Sequence, residues 1–530
     1  MKRQLLLLLT FSWLATMVYA QQRQISGTVR DNTGAPLSGA TVNEKGTSNN
    51  AITNDNGAFT IRVASNATLV ISYAGYTSQE VNPTGNEALT ISLEPSGTLS
   101  EVVVTGFGAR RETRKLSYSV QQVKGEDLAR ANTPNLANAL QGKVAGVMIN
   151  QGAGGPTSAS RIRIRGNTSL KPNTQPLFVI DGVLIQPGTS GADSWGSAQD
   201  FGNELNSLNS DDYESVTVLK GSAASALYGS LAQNGVILIT TKKGRARKGL
   251  GVSASHTQTF EKAYKSIDVQ NTYGGGINPT FEKGADGIDI VDPTNYFWSF
   301  GPKFDGHQVR DVDGRLIPWS PLNDLLAIYE TGRFVNTNVA IDGGNERTTF
   351  RFSYSNNNNK SILPNNKLTR NNFALRATQK LSDFLNLDAS INYNTSNGSN
   401  PIRQGGNNNP VFAQVYFNPR HLDIDYWKNN YMDSAGGQLR GDLDYYGLAG
   451  IFYDIHNNDV TQKSDNLRAN IDMNATITPW LNLLVRGNIN STVTNTDRKN
   501  WGTGPGFTGG YYSLSQSNNK NARVQGLLTG

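Results

Sequence analysis

Apolar and polar residues alternate along two stretches in the second half of the chain, 370–395 and 465–491. Each stretch is interrupted once, at 382–383 and at 478–480, by residues that favour a tight turn. A period of two places apolar side chains on one face of a β-strand and polar side chains on the other. The pattern therefore predicts two antiparallel hairpins, each with one apolar and one polar face.

Long polar connectors separate such hairpins, the clearest being 396–464. Short turns at one end of a sheet and long loops at the other are typical of outer-membrane β-barrels, but a soluble β-sandwich has the same alternation. About seven strands can be recognised between 247 and 530, and Ala522–Leu528 begins another. Alternation alone leaves both folds open.

Short apolar runs recur between residues 24 and 95, separated by clusters of Gly, Asn and Asp. Several short strands with such turns predict a small β-sandwich. The runs are Ile25–Val29, Ala40–Val42, Phe59–Val63, Leu69–Tyr73 and Leu89–Leu93.

A valine-rich segment lies in the linker 96–113, and its residues are Glu101, Val102, Val103, Val104, Thr105 and Gly106. Adjacent valines favour an extended backbone. A β-prone segment between flexible linkers is suited to adding a strand to the sheet edge of another protein. It is equally compatible with an ordinary internal strand of the next domain.

Residues 114–246 mix helical and strand patterns, which predicts an α/β domain. We expect a short helix at 135–146 and strands at 176–183, 213–219 and 236–240. Asp181-Gly182 ends the first of these strands, and without an acid or His nearby in sequence a turn role is preferred to a catalytic one.

Three arginines of this domain, Arg161, Arg163 and Arg165, alternate with two isoleucines before Gly166. The alternation places the arginines on one face of a strand. Such a face is either solvated or paired with acids on an enclosing wall, because the planar guanidinium binds carboxylates with two hydrogen bonds. The residues alone favour the solvated face.

The N-terminus has the pattern of a secretory signal peptide over residues 1–20, with Lys2 and Arg3 before the apolar run Leu5–Val18 and a small residue at Ala20. The run is shorter than the roughly 20 residues of a spanning helix. The sequence therefore predicts export.

Composition excludes several classes of function. The net charge of +6 is too small an excess to indicate nucleic-acid binding. The chain has no Cys, which excludes disulfides and thiolate ligands, and its four His residues are far apart. We therefore predict no metal site, no cofactor and no catalytic residues.

The connector 414–456 is rich in aromatic residues. Aromatic faces near carboxylates suit stacking on sugar rings or peptide side chains, but they also suit packing within the loop or against a partner protein. The candidate ligand-loop residues are Tyr426, Trp427, Tyr431, Tyr445 and Tyr446.

Four segments of the α/β domain resemble the plug of SusC/RagA-type TonB-linked outer-membrane proteins: ALQGKVAGVMI (139–149), RIRIRGN (161–167), PLFVIDGV (176–183) and ESVTVLKGSAASALYGSLAQNGVILITTKKG (214–244). Residues 24–95 resemble the carboxypeptidase-regulatory-like β-sandwich, and Glu101–Gly106 resembles a TonB box. The order of the parts also fits, so the resemblance covers nearly all of the chain.

The resemblance implies which residues belong to the motifs of the plug. The plug motifs comprise Arg161, Arg163, Arg165, Gly166, Asp181, Gly182, Tyr228, Gly229, Asn234 and Gly235. Residues 247–530 are then expected to be the first strands of an antiparallel transmembrane β-barrel. Because such a barrel has about 22 strands, we expect the chain to be an N-terminal fragment, or a truncated reading frame, of a protein about twice as long.

The implied function is TonB-dependent import of nutrient oligomers across the outer membrane. The expected cargo is a glycan first and a peptide second, and the expected partners are TonB with its inner-membrane energising complex and a SusD-like surface lipoprotein. The alternative is a surface protein that binds ligands or mediates adhesion without transport.

Overall fold

The computed structural model describes residues 22–64, 66–73, 76–83, 88–94, 102–104, 110–112, 120–131, 133, 135–152, 155–166, 175–185, 199–296, 298–402, 418–439, 448–502 and 509–530. The predicted signal peptide lies outside these residues. They form two compact units. The first ends at Val103 and also includes Arg110–Glu112, and the second includes Val104 and the residues from Val120 to Gly530.

The first unit is a β-sandwich of two sheets. Its core consists of alternate side chains of the strands, such as Phe59, Ile61 and Val63, which pack between the sheets. The sheet orders are β4-β1-β7 and β3-β2-β5-β6, and only β1 and β7 are parallel. The strands are β1 (Gln22–Asp31), β2 (Thr41–Glu44), β3 (Asn50–Ile52), β4 (Ala58–Ala64), β5 (Leu69–Ser72), β6 (Gln79–Val81) and β7 (Leu89–Leu93).

The valine-rich segment contributes a short strand, β8 (Val102–Val104), which pairs with β9 (Arg110–Glu112) in a two-stranded sheet. Glu101, Thr105 and Gly106 lie outside the described residues. The extended conformation predicted for the three valines is therefore present.

The plug-like domain, residues 120–243, is built on a five-stranded sheet of order β10-β15-β16-β13-β14, and β11 and β12 form a separate pair. Apolar clusters cover both faces of the sheet. The strands are β10 (Val120–Lys124), β11 (Val147–Gln151), β12 (Ser160–Ile164), β13 (Leu177–Ile180), β14 (Val183–Ile185), β15 (Tyr213–Leu219) and β16 (Val236–Thr241).

The described residues of this domain form three α-helices, α1 (Gly125–Arg130), α2 (Leu136–Ala139) and α3 (Ser222–Tyr228). Single 3₁₀ turns lie at Glu204–Ser207, Ser210–Asp212 and Gly229–Ala232. The helix predicted at 135–146 is shorter than expected. Asn135 caps it through its side chain, but Gly142 and Gly146 take positive φ angles of 73° and 69°, which a continuous helix cannot contain.

The remaining strands include one large antiparallel sheet of eight, in the order β17-β22-β23-β24-β25-β26-β27-β28. Its two outermost strands do not pair with each other. The strands are β17 (Arg247–Glu261), β18 (Glu282–Lys283), β19 (Asp289–Ile290), β20 (Gln308–Arg310), β21 (Leu316–Pro318), β22 (Gly332–Gly344), β23 (Thr348–Lys360), β24 (Lys367–Lys380), β25 (Leu385–Ser399), β26 (Asp459–Thr478), β27 (Leu481–Gly502) and β28 (Gly509–Thr529).

Both predicted hairpins are present, with turns between β24 and β25 and between β26 and β27. The strands are longer than the sequence pattern indicated, since β27 alone has 22 residues. The parts of these strands farther from the short turns are rich in Asn, Ser and Thr on both faces. The apolar alternation that predicts a strand therefore ends earlier than the backbone pairing between the strands. The mainly β fold class is confirmed.

The large sheet exposes its apolar face and covers its polar face. Phe373, Leu375, Ile391 and Ile471 are between 40% and 50% exposed, whereas inward-facing polar residues are buried. A water-soluble sheet has the opposite arrangement, with its apolar face on the core. The buried polar residues include Ser353, Arg370, Asn372, Ser390, Asn394, Asn466 and Arg486.

Parts of the two longest connections of the large sheet fold together into a small loop domain, described over residues 270–296, 298–330, 418–439 and 448–457. These residues include β18–β21 and the helices α4 (Ile424–Asn429) and α5 (Leu448–Asn457), around one apolar core. None of the helices in the described part of the chain has the length and apolar composition that a membrane crossing would need.

Candidate functional site

The candidate site is the interface between the plug-like domain and the polar face of the large sheet. An inward-facing arginine of β24, Arg376, lies at its centre. Its guanidinium binds Asp388 of β25 through two hydrogen bonds of 2.9 Å and also contacts Asp181 at 3.0 Å. Lys243 approaches the same Asp388 carboxylate at 2.6 Å. Two charges from the plug-like domain and two from the sheet therefore form one ion-pair group.

Asp181 enters this group because of its turn. Its φ of 47° places it in the left-handed region, and its carboxylate accepts hydrogen bonds from the backbone and hydroxyl of Thr241 at 3.1 and 2.6 Å. The predicted turn role is therefore accompanied by a contact to the sheet that the sequence alone does not reveal.

A second group forms where the 3₁₀ turn Ser210–Asp212 meets β22 and β23. Asp212 accepts a hydrogen bond from Ser353 and pairs with Arg351 at 3.3 Å. Asp211 accepts a hydrogen bond from Asn336 at 2.9 Å. Burial raises the pKa of Asp211, since it disfavours the charged carboxylate.

Glycines let the two surfaces approach closely. A Cβ on Gly182 would overlap the guanidinium of Arg486, which is held by the carboxylate of Asp472 on the neighbouring strand. A Cβ on Gly244 would overlap the backbone of Phe350. A side chain at position 244 would therefore displace the backbone of the sheet. A side chain at position 182 would displace the guanidinium of Arg486 and would also have to adopt the positive φ of 86°.

Two further arginines of the sheet reach backbone carbonyls of the plug-like domain. Arg370 donates to the carbonyl of Leu208, and Arg468 to that of Ser207, both at 3.4 Å. Tyr213 is buried beside them, and burial raises the pKa of its phenol. The interface is therefore polar and charged, in contrast to the apolar core of the plug-like domain.

The arginines predicted from the plug motif lie elsewhere. On β12, Arg161 is exposed and Arg163 is half-buried. Arg165 follows the strand, is exposed and has a positive φ of 61°. Gly166, Gly182, Gly229 and Gly235 all have positive φ angles, which accounts for glycine in those turns. Tyr228 ends α3, and Asn234 donates to the carbonyl of Gln175 at 3.4 Å.

The candidate ligand-loop residues differ in their burial and contacts within the loop domain. Trp427 is buried in its core, so that side chain packs the domain. Tyr426 lies under the guanidinium of Arg315, 3.2 Å from ring centroid to Cζ, and Tyr431 stacks on His456. Both tyrosines keep part of their surface exposed. Tyr445 and Tyr446 lie outside the described residues.

Sequence reasoning missed most of the charged residues of the interface, among them Asp211, Asp212, Arg351, Arg376 and Asp388. One signal was present. Arg376 and Asp388 occupy polar positions within the alternating hairpin, where uncharged residues would satisfy the pattern equally well. Charges at such inward positions require partners.

Two family models match the chain. One, described as the TonB-dependent Receptor Plug Domain, matches residues 112–236. The other, described as a CarboxypepD_reg-like domain, matches residues 25–104. These matches agree with the resemblances found for the α/β domain and the sandwich.

Curated relatives extend the similarity into the large sheet. The chain is 30% identical over 457 residues to the TonB-dependent receptor SusC of Bacteroides thetaiotaomicron, covering 84% of this chain and 41% of that protein. It is 31% identical over 390 residues to the TonB-dependent receptor P26 of Formosa agariphila, covering 72% and 35%. The chain thus spans about two fifths of the length of SusC.

Solved structures support the fold. The RagAB peptide importer in its open-open state matches with a TM-score of 0.54 and 19% identity, over 80% of this chain and 46% of that one. Its closed-closed state matches with a TM-score of 0.52 and 18% identity, over 77% and 45%.

Replacing Arg376 with Met should loosen the plug-like domain from the sheet. The substitution removes the guanidinium that Asp181 and Asp388 share and leaves Asp388 paired with Lys243 alone. Loss of one partner from a buried ion pair typically costs about 3–5 kcal/mol. Proteolysis of the plug-like domain in increasing urea measures the change. Lys380→Met is the control on the same strand. Its partner Asp383 is exposed, so the loss should stay below about 1 kcal/mol. Equal sensitivity of the two variants would contradict the assignment.

Acid should destabilise the loop domain through His421. This buried imidazole packs against the ring of Trp319 and accepts a hydrogen bond from the Gly275 amide at 3.0 Å, and burial lowers its pKa to about 3. Between that value and about 6.5 the unfolded chain binds a proton that the folded chain rejects, so stability falls as pH falls.

The expected loss for His421 is about 2 kcal/mol between pH 7 and pH 5. Hydrogen exchange of the Gly275 amide, corrected for intrinsic rates, measures it. His456 also has a pKa lowered by burial, so the control is His421→Gln, which keeps an acceptor and does not titrate. The difference between the two proteins isolates His421, and identical pH profiles would refute its role.

Proposed function

Since the chain belongs with the SusC-type TonB-dependent receptors over the residues that it comprises, we propose that it serves in an outer-membrane importer of nutrient oligomers powered through TonB. SusC and P26 are longer proteins, and the complete import activity is that of a receptor of such length. The chain contributes the coupling segment, the plug and part of the wall.

The observation that carries the proposal is the inverted polarity of the large sheet. Its outward side chains, such as Leu375 and Ile391, are apolar and exposed, whereas its inward side chains are polar and covered by the plug-like domain. An outward apolar band with a polar interior is the arrangement of a transmembrane β-barrel wall. This polarity supports an outer-membrane location and a plug inside the wall.

The coupling segment is proposed to be Glu101–Gly106. Val102–Val104 already have extended backbone, and addition of such a strand to the sheet edge of a partner forms backbone hydrogen bonds without a dedicated pocket. The segment precedes the plug-like domain in the chain, so tension on it is transmitted to β10. TonB is the proposed partner.

The cargo is proposed to be a glycan first and a peptide second. The RagAB structures are those of a peptide importer, which supports peptide as the second class. A SusD-like lipoprotein is proposed to cover the side of the sheet that carries the loop domain, where Tyr426 and Tyr431 remain candidates for cargo contact. Energy comes through TonB, so the proposal requires no cofactor and no catalytic step.

Deletion of residues 100–106 should abolish uptake of the cargo while leaving outer-membrane abundance and surface binding unchanged. The physical reason is that TonB loses the strand on which it pulls, whereas the plug and the wall keep their contacts. Uptake by intact cells is measured beside cell-surface binding of the same labelled cargo.

A matched pair of substitutions refines this experiment. Val103→Pro removes a backbone N–H and should abolish uptake as the deletion does, whereas Val103→Ala should retain most of it. Uptake that survives the deletion would favour the alternative, a surface binding or adhesion protein without transport.

A further inference from the structure

The outward face of the large sheet carries an aromatic row at one edge of its apolar band. Tyr354, Phe373 and Tyr393 occupy matching positions on β23, β24 and β25, and their ring centroids are 4.9 and 6.4 Å apart. The row lies on the loop-domain side of Leu375 and Ile391. Aromatic girdles flank the apolar band of a transmembrane barrel at both interfaces. The aromatic row therefore marks where this band ends towards the loop domain.

Farther along the same strands, the outward face carries three cations side by side. Arg333 of β22 lies opposite Lys360 of β23, and Lys360 lies opposite Lys367 of β24. All three side chains are exposed. We call this set the cation row. The outward positions between it and the aromatic row are uncharged, namely Val335, Thr337, Asn356, Asn358, Thr369 and Asn371.

The cation row places like charges against one another. Like charges directly opposite on neighbouring strands destabilise the pairing of a sheet. Neighbouring strands are about 5 Å apart, so the three cations lie within roughly 10 Å. The carboxylate of Glu330 contacts Lys360 at 2.7 Å and offsets one of the three charges. An anion bound between the side chains would therefore relieve a repulsion that is built into the sheet.

Two cations at the same end of β26 and β27 have acidic neighbours instead. Lys463 lies 3.6 Å from Asp465 on its own strand, and Lys499 lies directly opposite Asp459. Opposite charges paired in this way stabilise a sheet. The cation row is thus a local accumulation of positive charge, which the composition of the polar end of the sheet does not explain.

The depth of the cation row indicates what kind of anion it meets. Lys367 is six residues from Phe373 on β24, which is roughly 20 Å along the strand. At the usual tilt of barrel strands this distance corresponds to about 15 Å along the membrane normal. The headgroup layer of an ordinary bilayer is only about 5–8 Å deep on each side. The cations therefore lie beyond the phosphates of ordinary phospholipids, at the level of a larger headgroup.

We propose that the cation row binds the phosphate groups of a phosphorylated glycolipid in the outer leaflet of the membrane. A lipid is favoured over an acidic protein because lipid that covers the apolar band of β22–β24 lies directly beside the row, on the same face. The inference rests on the proposed outer-membrane location and is independent of the cargo and of TonB.

Lipid binding to the purified chain in detergent micelles tests the inference. The probes are lipopolysaccharide with a phosphorylated core oligosaccharide, the same lipopolysaccharide dephosphorylated with hydrofluoric acid, and phosphatidylglycerol. The phosphorylated lipopolysaccharide should bind at least about tenfold more tightly than the dephosphorylated form, because each cation near an anionic lipid contributes about fivefold. Phosphatidylglycerol should bind more weakly than the phosphorylated lipopolysaccharide, and the preference should decrease with added salt.

The triple variant Arg333→Gln, Lys360→Gln, Lys367→Gln should weaken binding of the phosphorylated lipopolysaccharide at least about tenfold. Its affinity for the dephosphorylated form should not change. Because the three side chains are exposed, the variant should keep the secondary structure and thermal unfolding of the parent chain, which circular dichroism measures.

The matched control is the triple variant Lys463→Gln, Lys499→Gln, Lys520→Gln. It removes the same number of exposed charges from the same outward face, but from three different register positions on β26, β27 and β28. Its affinity for the phosphorylated lipopolysaccharide should stay within about twofold of that of the parent chain.

Four outcomes would overturn the inference. They are equal losses in the two triple variants, equal binding of the two lipopolysaccharides, binding of phosphatidylglycerol as tight as that of the phosphorylated lipopolysaccharide, and loss of a co-purifying protein from the cation-row variant while its lipid binding persists. The last outcome would assign the row to a protein. None of them affects uptake that depends on residues 100–106, so failure of this inference is distinguishable from failure of the import function.

Discussion

Strict alternation of side chains across a β-strand is the constraint on which the rest of this structure depends. Because neighbouring residues face opposite sides of a sheet, the apolar row that includes Leu375 and Ile391 requires a polar row on the other side. The large sheet exposes the apolar row and directs the polar row inward. The inward amides, hydroxyls and charges need hydrogen-bond partners, and the plug-like domain supplies many of them.

That requirement explains the kind of interface that holds the plug-like domain. Asp181, Asp212 and Lys243 meet arginines and carboxylates of the sheet, and these contacts are directional and specific. Buried ion pairs contribute little net free energy compared with apolar packing, because the desolvation of the charges offsets their attraction. An interface of this kind fixes the position of a domain, yet its polar groups can also be satisfied by water. The apolar core of the plug-like domain has no such alternative partner.

Local signals in the sequence predict the hairpins, the sandwich, the mixed domain and the turn at Asp181-Gly182, because period and turn chemistry depend on near neighbours. The interface partners are far apart in the chain. Asp181 meets Arg376, and Asp212 meets Arg351, only once the sheet and the plug-like domain are packed together. Composition could not predict the role of Trp427, because an aromatic residue in a long connector looks the same in sequence whether it binds a ligand or packs in a core. The outer parts of β26–β28 escaped prediction because Asn, Ser and Thr occupy both faces there.

The central claim, that the apolar face of the sheet lies in lipid, can be tested directly because the chain has no Cys. A nitroxide is attached to a single cysteine at Leu375 or at its neighbour Ala374, which faces the plug-like domain. Collision rates are measured in bilayers with oxygen, which concentrates in lipid, and with a water-soluble nickel chelate. The account predicts that the label at position 375 collides with oxygen and is protected from nickel, whereas the label at 374 is protected from both. Greater access of nickel than of oxygen at position 375 would contradict it.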